Sequence, residues 1–147
     1  MPKITRVFIK TGLICFLLSL LFGIVLEIES INTPSLVPLF WHLLMVGWIT
    51  QIIFGVSLWM FPGRTREEGF TAQKWGWLTY LFLNSGLLLR IVAEPWLNSS
   101  EALIWDILIV LSATTQVLAA ITYTIEMWPR IQSKKQRLRN RKKKRDS

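Results

Sequence analysis

The stretch from Pro38 to Pro62, PLFWHLLMVGWITQIIFGVSLWMFP, decides the fold. No formally charged residue lies between the two prolines, and at about 1.5 Å of rise per helical residue the apolar interior crosses a hydrocarbon layer of about 30 Å. It reads as a transmembrane helix over about residues 38–61. The same stretch holds the chain's only histidine, His42. Gly47 and Gly55 thin the helix where a backbone or a flat ligand can approach, and Trp41, Trp48 and Trp59 offer broad aromatic surface. These are the ingredients of a haem pocket, and equally of a plain membrane helix. A lone histidine near a helix end reads first as an interfacial or packing residue.

The composition around this stretch excludes most alternatives. Apolar residues make up 52% of 147, mean hydropathy is +0.41 and tryptophan occurs 8 times, so a soluble globule would expose too much hydrophobic surface. The length allows one domain. A single cysteine, Cys15, rules out an intrachain disulfide and any cysteine-built metal cluster. Only a cofactor that needs very few protein ligands stays open.

Outward from the central stretch, three more apolar runs complete the pattern. Residues 8–28 form the first predicted helix, behind a basic lead of Lys3, Arg6 and Lys10. Their run is longer than a signal-peptide core and lacks a small-x-small cleavage site, so a retained helix is expected. Pro62-Gly63 should end the second helix. The third predicted helix covers 75–93, with Asn84, Ser85 and Gly86 at its middle, Arg90 near its far end and Glu94-Pro95 as its stop. The fourth covers 102–128, with Ser99 or Ser100 as a cap, Asp106 near its start, Thr114, Thr115 and Gln116 at its middle, and Pro129 as its stop. The expected fold is an all-α four-helix transmembrane bundle over residues 1–129. A basic tail over 130–147 should be extended or disordered without a partner.

Charge placement orients the bundle. Of 17 Lys and Arg, 16 fall in the leader, the middle loop and the tail, while the loops around Glu29 and around Asn98 have none. By the positive-inside bias both termini are expected in the cytoplasm. The tail should then rest on anionic lipid headgroups, at about 1 kcal/mol per basic residue near the surface. Nucleic acid is the weaker reading, because a tail leaving a membrane helix meets lipid first.

Orientation also assigns depth. His42, Arg90, Asp106 and Glu27 all fall in one outer layer. A charge inside a membrane segment costs roughly 2.5 to 3.5 kcal/mol unless paired, so Arg90 is expected to find Asp106, Glu94, Glu27 or the carboxylates of a haem. Mid-membrane Gln51, Asn84, Thr114, Thr115 and Gln116 read as interhelical hydrogen-bonding groups. They are too few and scattered for a solute path. Tryptophans and tyrosines near the run ends fit aromatic belts.

The run WHLLMVGWITQIIFGVSLWMFP resembles the histidine-bearing second helix of the catalytic subunit of the haem-copper oxidase and nitric oxide reductase family. The shared pattern is a histidine, a glycine about five residues on, and a glycine-aromatic-proline exit. LFLNSGLLLRIVAEP is similar to segments of small proteins related to that subunit. The resemblance implies a low-spin b-type haem with His42 as axial metal ligand; depth would put Arg90 near its propionates, and residue type makes Trp41 and Gly47 cofactor-binding candidates. The departures are large. That subunit has about twelve helices and several more histidines, whereas this chain has four predicted helices and one histidine, so no complete catalytic centre can be assembled. The family's low-spin haem takes a second histidine from a later helix that this chain lacks; a two-fold dimer could supply it as a second copy of His42, and the alternative is a haem with one protein ligand or none.

Two functional expectations follow. One is a small cytochrome b-like protein for electron transfer or gas binding in a bacterial cytoplasmic membrane, working as a homo-oligomer. The other is an accessory or assembly subunit of a larger respiratory-type membrane complex, without a cofactor of its own.

Overall fold

The computed structural model describes residues 1–28, 36–61, 71–97 and 103–131. Among them every regular element is helical. Helix α1 runs Lys3–Leu26, α2 Leu36–Met60, α3 Thr71–Ala93 and α4 Leu103–Met127, and short 3₁₀ turns extend α3 over Glu94–Trp96 and α4 over Trp128–Arg130. All four helices are long and apolar enough to cross a membrane. The burial pattern inverts that of a soluble bundle. Leu17, Leu21, Ile24, Leu103, Val110 and Val117 face outward, while Thr5, Ser19, Gln51, Thr79, Ser112 and Thr122 are buried. Lipid tails solvate the leucines as well as a protein core would, so the interior is left to groups that need partners.

Several boundaries differ from the sequence reading. Helix α1 begins at Lys3 rather than near residue 8, because Ile4, Thr5 and Phe8 already pack inward while Lys3, Arg6 and Lys10 stay exposed on the other faces. Helix α3 begins at Thr71 rather than 75. Pro38 lies inside α2 rather than at its start, as a ring in the first turn displaces no helical hydrogen bond. The largest difference is in the middle of α2. Leu36–His42 and Gln51–Met60 are α-helical, but Leu43–Thr50 is a π-helix, wound with i→i+5 hydrogen bonds. The Thr50 hydroxyl follows that wider turn, donating to the Met45 carbonyl five residues back at 2.8 Å. The expected stop at Pro62-Gly63, the cap at Ser99 or Ser100, the loop charges and the tail beyond residue 131 lie outside the described residues.

Close approach sets the helix pairs. A Cβ on Gly55 would lie 2.8 Å from Phe8 Cβ, and one on Gly47 would lie 2.9 Å from Cys15 Cβ, so α1 and α2 run antiparallel at a separation that larger residues forbid. Helices α3 and α4 form the most extensive pair, crossing where the Ser112 hydroxyl donates to the Gly86 carbonyl at 2.6 Å and Thr79 and Thr122 share a hydrogen bond of 3.0 Å. Helix α2 ties the pairs together. Gln51 Nε2 donates to Asn84 Oδ1 of α3 at 3.0 Å, Phe54 stacks on Tyr123 of α4 at 3.7 Å, and the Ser57 and Tyr123 hydroxyls meet at 2.7 Å. Thr11 of α1 reaches the Tyr80 hydroxyl of α3 at 2.8 Å. The interhelical role expected of Gln51 and Asn84 is met, whereas Thr114, Thr115 and Gln116 bond within their own helix.

Candidate functional site

The site begins with His42, the last residue before α2 widens. Its Nδ1 lies 2.8 Å from the carbonyl oxygen of Pro38, one helical turn earlier. A carbonyl can only accept, so Nδ1 carries the proton, and in the neutral ring the lone pair is then on Nε2. No described residue hydrogen-bonds Nε2. The side chain is 26% exposed, enough to meet a ligand while its other edge stays held.

The second member arrives from α3. Pro95 cannot continue the α ladder, so the chain tightens into the 3₁₀ turn Glu94–Trp96, which carries the Glu94 side chain inward to 5% exposure. Its Oε1 lies 3.6 Å from His42 Nδ1 and accepts a 2.7 Å hydrogen bond from Arg90 Nη1. Arg90 and Glu94 are four residues apart, the spacing at which helical side chains meet. Arg90 also stands in the last turn of α3, where a cation offsets the negative helix end. The cluster is a chain of three groups from two helices: imidazole, carboxylate, guanidinium. Glu94 Oε2 and Arg90 Nε are buried without a hydrogen-bond partner.

Other sequence candidates fall elsewhere. Trp41 precedes His42 on a different face of α2, 49% exposed, and meets Phe40 edge-on at 5.3 Å. The open side of Gly47 is filled by Cys15 and by Leu87, whose Cδ2 would lie 3.0 Å from an added Cβ, so Gly47 serves close packing of α1, α2 and α3. Asp106 and Glu27 are exposed, and neither pairs with Arg90. Among the described carboxylates, Glu94 alone reaches the arginine.

A second polar cluster lies at the opposite end of the bundle, and nothing in the sequence reading singled it out. Glu126 is fully buried and accepts from Arg130 Nη2, while Arg130 Nη1 donates to the Leu58 carbonyl at 3.3 Å. Arg130 was expected to open the solvated tail; its own burial and that contact with α2 place it in the bundle. The four-residue spacing of Glu126 and Arg130 across Pro129 was the available signal.

Among the described residues, no group of three His, Cys, Asp or Glu side chains is placed to hold a metal ion. A porphyrin iron needs no such cage, only an axial donor. A neutral imidazole with Nδ1 engaged and Nε2 carrying its lone pair is that donor type. The residues present therefore fit one axial ligand, with a cationic group two side chains away.

Fold and burial define a four-helix integral membrane protein with one polar cluster at each end of the bundle. It belongs to the NnrS protein family, whose model matches residues 2–135. No curated protein and no solved structure matches the chain. The family match brings no link to the haem-copper oxidase catalytic subunit that the α2 sequence resembles.

Proposed function

We propose that this chain is a b-type haem protein of the membrane, serving electron transfer or gas binding, with His42 as an axial ligand through Nε2. The observation that carries the reading is the held His42 ring, with Nδ1 on the Pro38 carbonyl and beside Glu94. Membership in NnrS, a haem-containing membrane family, supports it. A bound haem supplies an iron that exchanges one electron or takes up a diatomic gas. The chain supplies the rest. His42 donates a lone pair, and Arg90 offers charge to propionates. Gly47 lets α1 and α3 close behind it.

One histidine gives one axial bond. The second comes, in this proposal, from His42 of another copy across a two-fold axis, so that a dimer holds one haem. Both termini lie in the cytoplasm, following the basic-residue bias, and the tail rests on anionic headgroups.

The experiment is haem content. Wild-type protein purified without a histidine tag retains about one haem per two chains, and His42→Ala loses it while remaining folded. A folded, colourless wild type overturns the proposal. One observation favours the second reading, an accessory subunit without a cofactor: Arg90 already has a carboxylate partner in Glu94 and does not require a propionate. Under that reading His42→Ala leaves assembly of the larger complex intact, and truncation after Arg130 weakens it.

A further inference from the structure

Glu94 entered the sequence reading only as a helix stop and a partner for Arg90. The geometry gives it more. Its Oε1 faces two cationic or proton-bearing groups at once, Arg90 Nη1 at 2.7 Å and His42 Nδ1 at 3.6 Å, and those groups belong to different helices. The carboxylate is 5% exposed and fixed by the turn that Pro95 imposes. Glu27, Asp106 and Glu126 make no contact with the imidazole among the described residues. Among the described residues, Glu94 is the one carboxylate brought to it.

We propose that Glu94 is the positioning residue of His42, holding the imidazole as its Nδ1–H tautomer so that the Nε2 lone pair faces outward, with Arg90 holding Glu94 in place. A neutral imidazole in water exchanges its proton between two nitrogens. Here the Pro38 carbonyl accepts from Nδ1, and a negative charge on that same edge stabilises the N–H dipole pointing at it. The opposite tautomer would turn a lone pair toward both a carbonyl oxygen and a carboxylate. That arrangement is repulsive on two counts. Arg90 keeps the carboxylate from swinging away, since its guanidinium is 16% exposed and bonded to the same oxygen. A donor whose tautomer is fixed beforehand binds a metal more tightly, and loss of such an outer partner typically weakens metal binding about 10- to 100-fold.

The consequence for iron rests on the haem reading above, but the positioning itself does not. Because His42 is the chain's only histidine, ¹⁵N-histidine labelling of tag-free, full-length protein gives one pair of ring signals. In the wild type the Nδ1–H form dominates. In Glu94→Ala and Glu94→Gln the ratio of Nδ1–H to Nε2–H falls by about tenfold, the scale of a lost interaction with a charged group. Glu94→Gln keeps the shape of the side chain and guards against an unfolded Glu94→Ala protein. A ratio that stays within about twofold of wild type in a folded variant overturns the proposal. The haem readout separates the two claims. If wild type binds haem, Glu94→Gln shifts its midpoint upward, by about 59 mV for each tenfold change in the ferric-to-ferrous ratio. A colourless wild type whose tautomer ratio still responds removes the haem reading and keeps the positioning role. Haem binding with an unresponsive ratio does the reverse.

Discussion

Gly86→Ala is the sharpest test of how the bundle is held. A Cβ at this position would lie 2.9 Å from the Ser112 carbonyl oxygen, 2.6 Å from Thr115 Oγ1 and 2.9 Å from Gln116 Cγ. The hydroxyl of Thr115 and the Gln116 chain can rotate, but the Ser112 carbonyl is backbone. Helices α3 and α4 must therefore separate by about 0.5 Å to restore ordinary contact at 3.4 Å. That separation stretches the 2.6 Å bond from Ser112 to the Gly86 carbonyl. Overpacking of this kind costs roughly 1 to 3 kcal/mol. A weakened interhelical hydrogen bond in a membrane adds about 0.6 kcal/mol. Alanine's better helix propensity returns up to about 1 kcal/mol. The expected net loss is roughly 1 to 3 kcal/mol, read as equilibrium unfolding in mixed micelles by tryptophan fluorescence. Gly76→Ala is the internal control. Its Cβ would meet Leu58 Cδ1 at 3.6 Å and Ile4 Cγ1 at 3.7 Å, ordinary contacts, so it gains stability by about 0.5 to 1 kcal/mol. If the two variants change stability with the same sign and size, the helix pairing described here is wrong.

Three further outcomes follow from the same contacts. Arg130→Ala removes one charged partner of the fully buried Glu126 and lowers stability by about 1.5 to 3 kcal/mol in the same assay, while the double change Glu126→Leu with Arg130→Met recovers most of it. Tyr123→Phe keeps the stack on Phe54 but removes the hydroxyl contact with Ser57, for a loss of about 0.6 to 1.7 kcal/mol; Tyr123→Leu loses more because the 3.7 Å stack goes too. For the proposed orientation, a cysteine placed at Ser147 in a Cys15→Ala background reacts with a membrane-impermeant maleimide only after the cytoplasmic face is opened; labelling of intact cells reverses the topology.

The four spans were legible because apolar run length and the prolines and charges that bound it are properties of sequence alone. That His42 and Arg90 fall at the same end of the bundle was legible too, since rise per residue is fixed. Rotation about each helix axis was not. Glu27, Glu94 and Asp106 were all expected at the level of Arg90, and only packing shows that Glu94 turns inward while the other two are exposed. The π-helical segment Leu43–Thr50 leaves no mark in composition, because its residues, LLMVGWIT, suit an α-helix equally well. Lys3 and Arg6 misled the start of α1 because basic residues were counted as loop, although a helix carries them readily on an exposed face. Arg130 misled in the opposite direction: a cation beside nine others looked solvated, and its buried acid partner one turn back was the cue. His42 itself was legible as a candidate from the residue type. The proton on its Nδ1 was not, since that depends on Pro38 and Glu94 meeting one edge of the ring.

The reduced-minus-oxidised absorption spectrum of tag-free wild type beside His42→Ala tests the central claim most directly. The account predicts sharp α and β bands in the wild type that vanish in the variant, with both proteins equally helical by circular dichroism. Bands of equal intensity in the two proteins contradict His42 as the ligand, and a folded wild type with no bands contradicts haem binding itself.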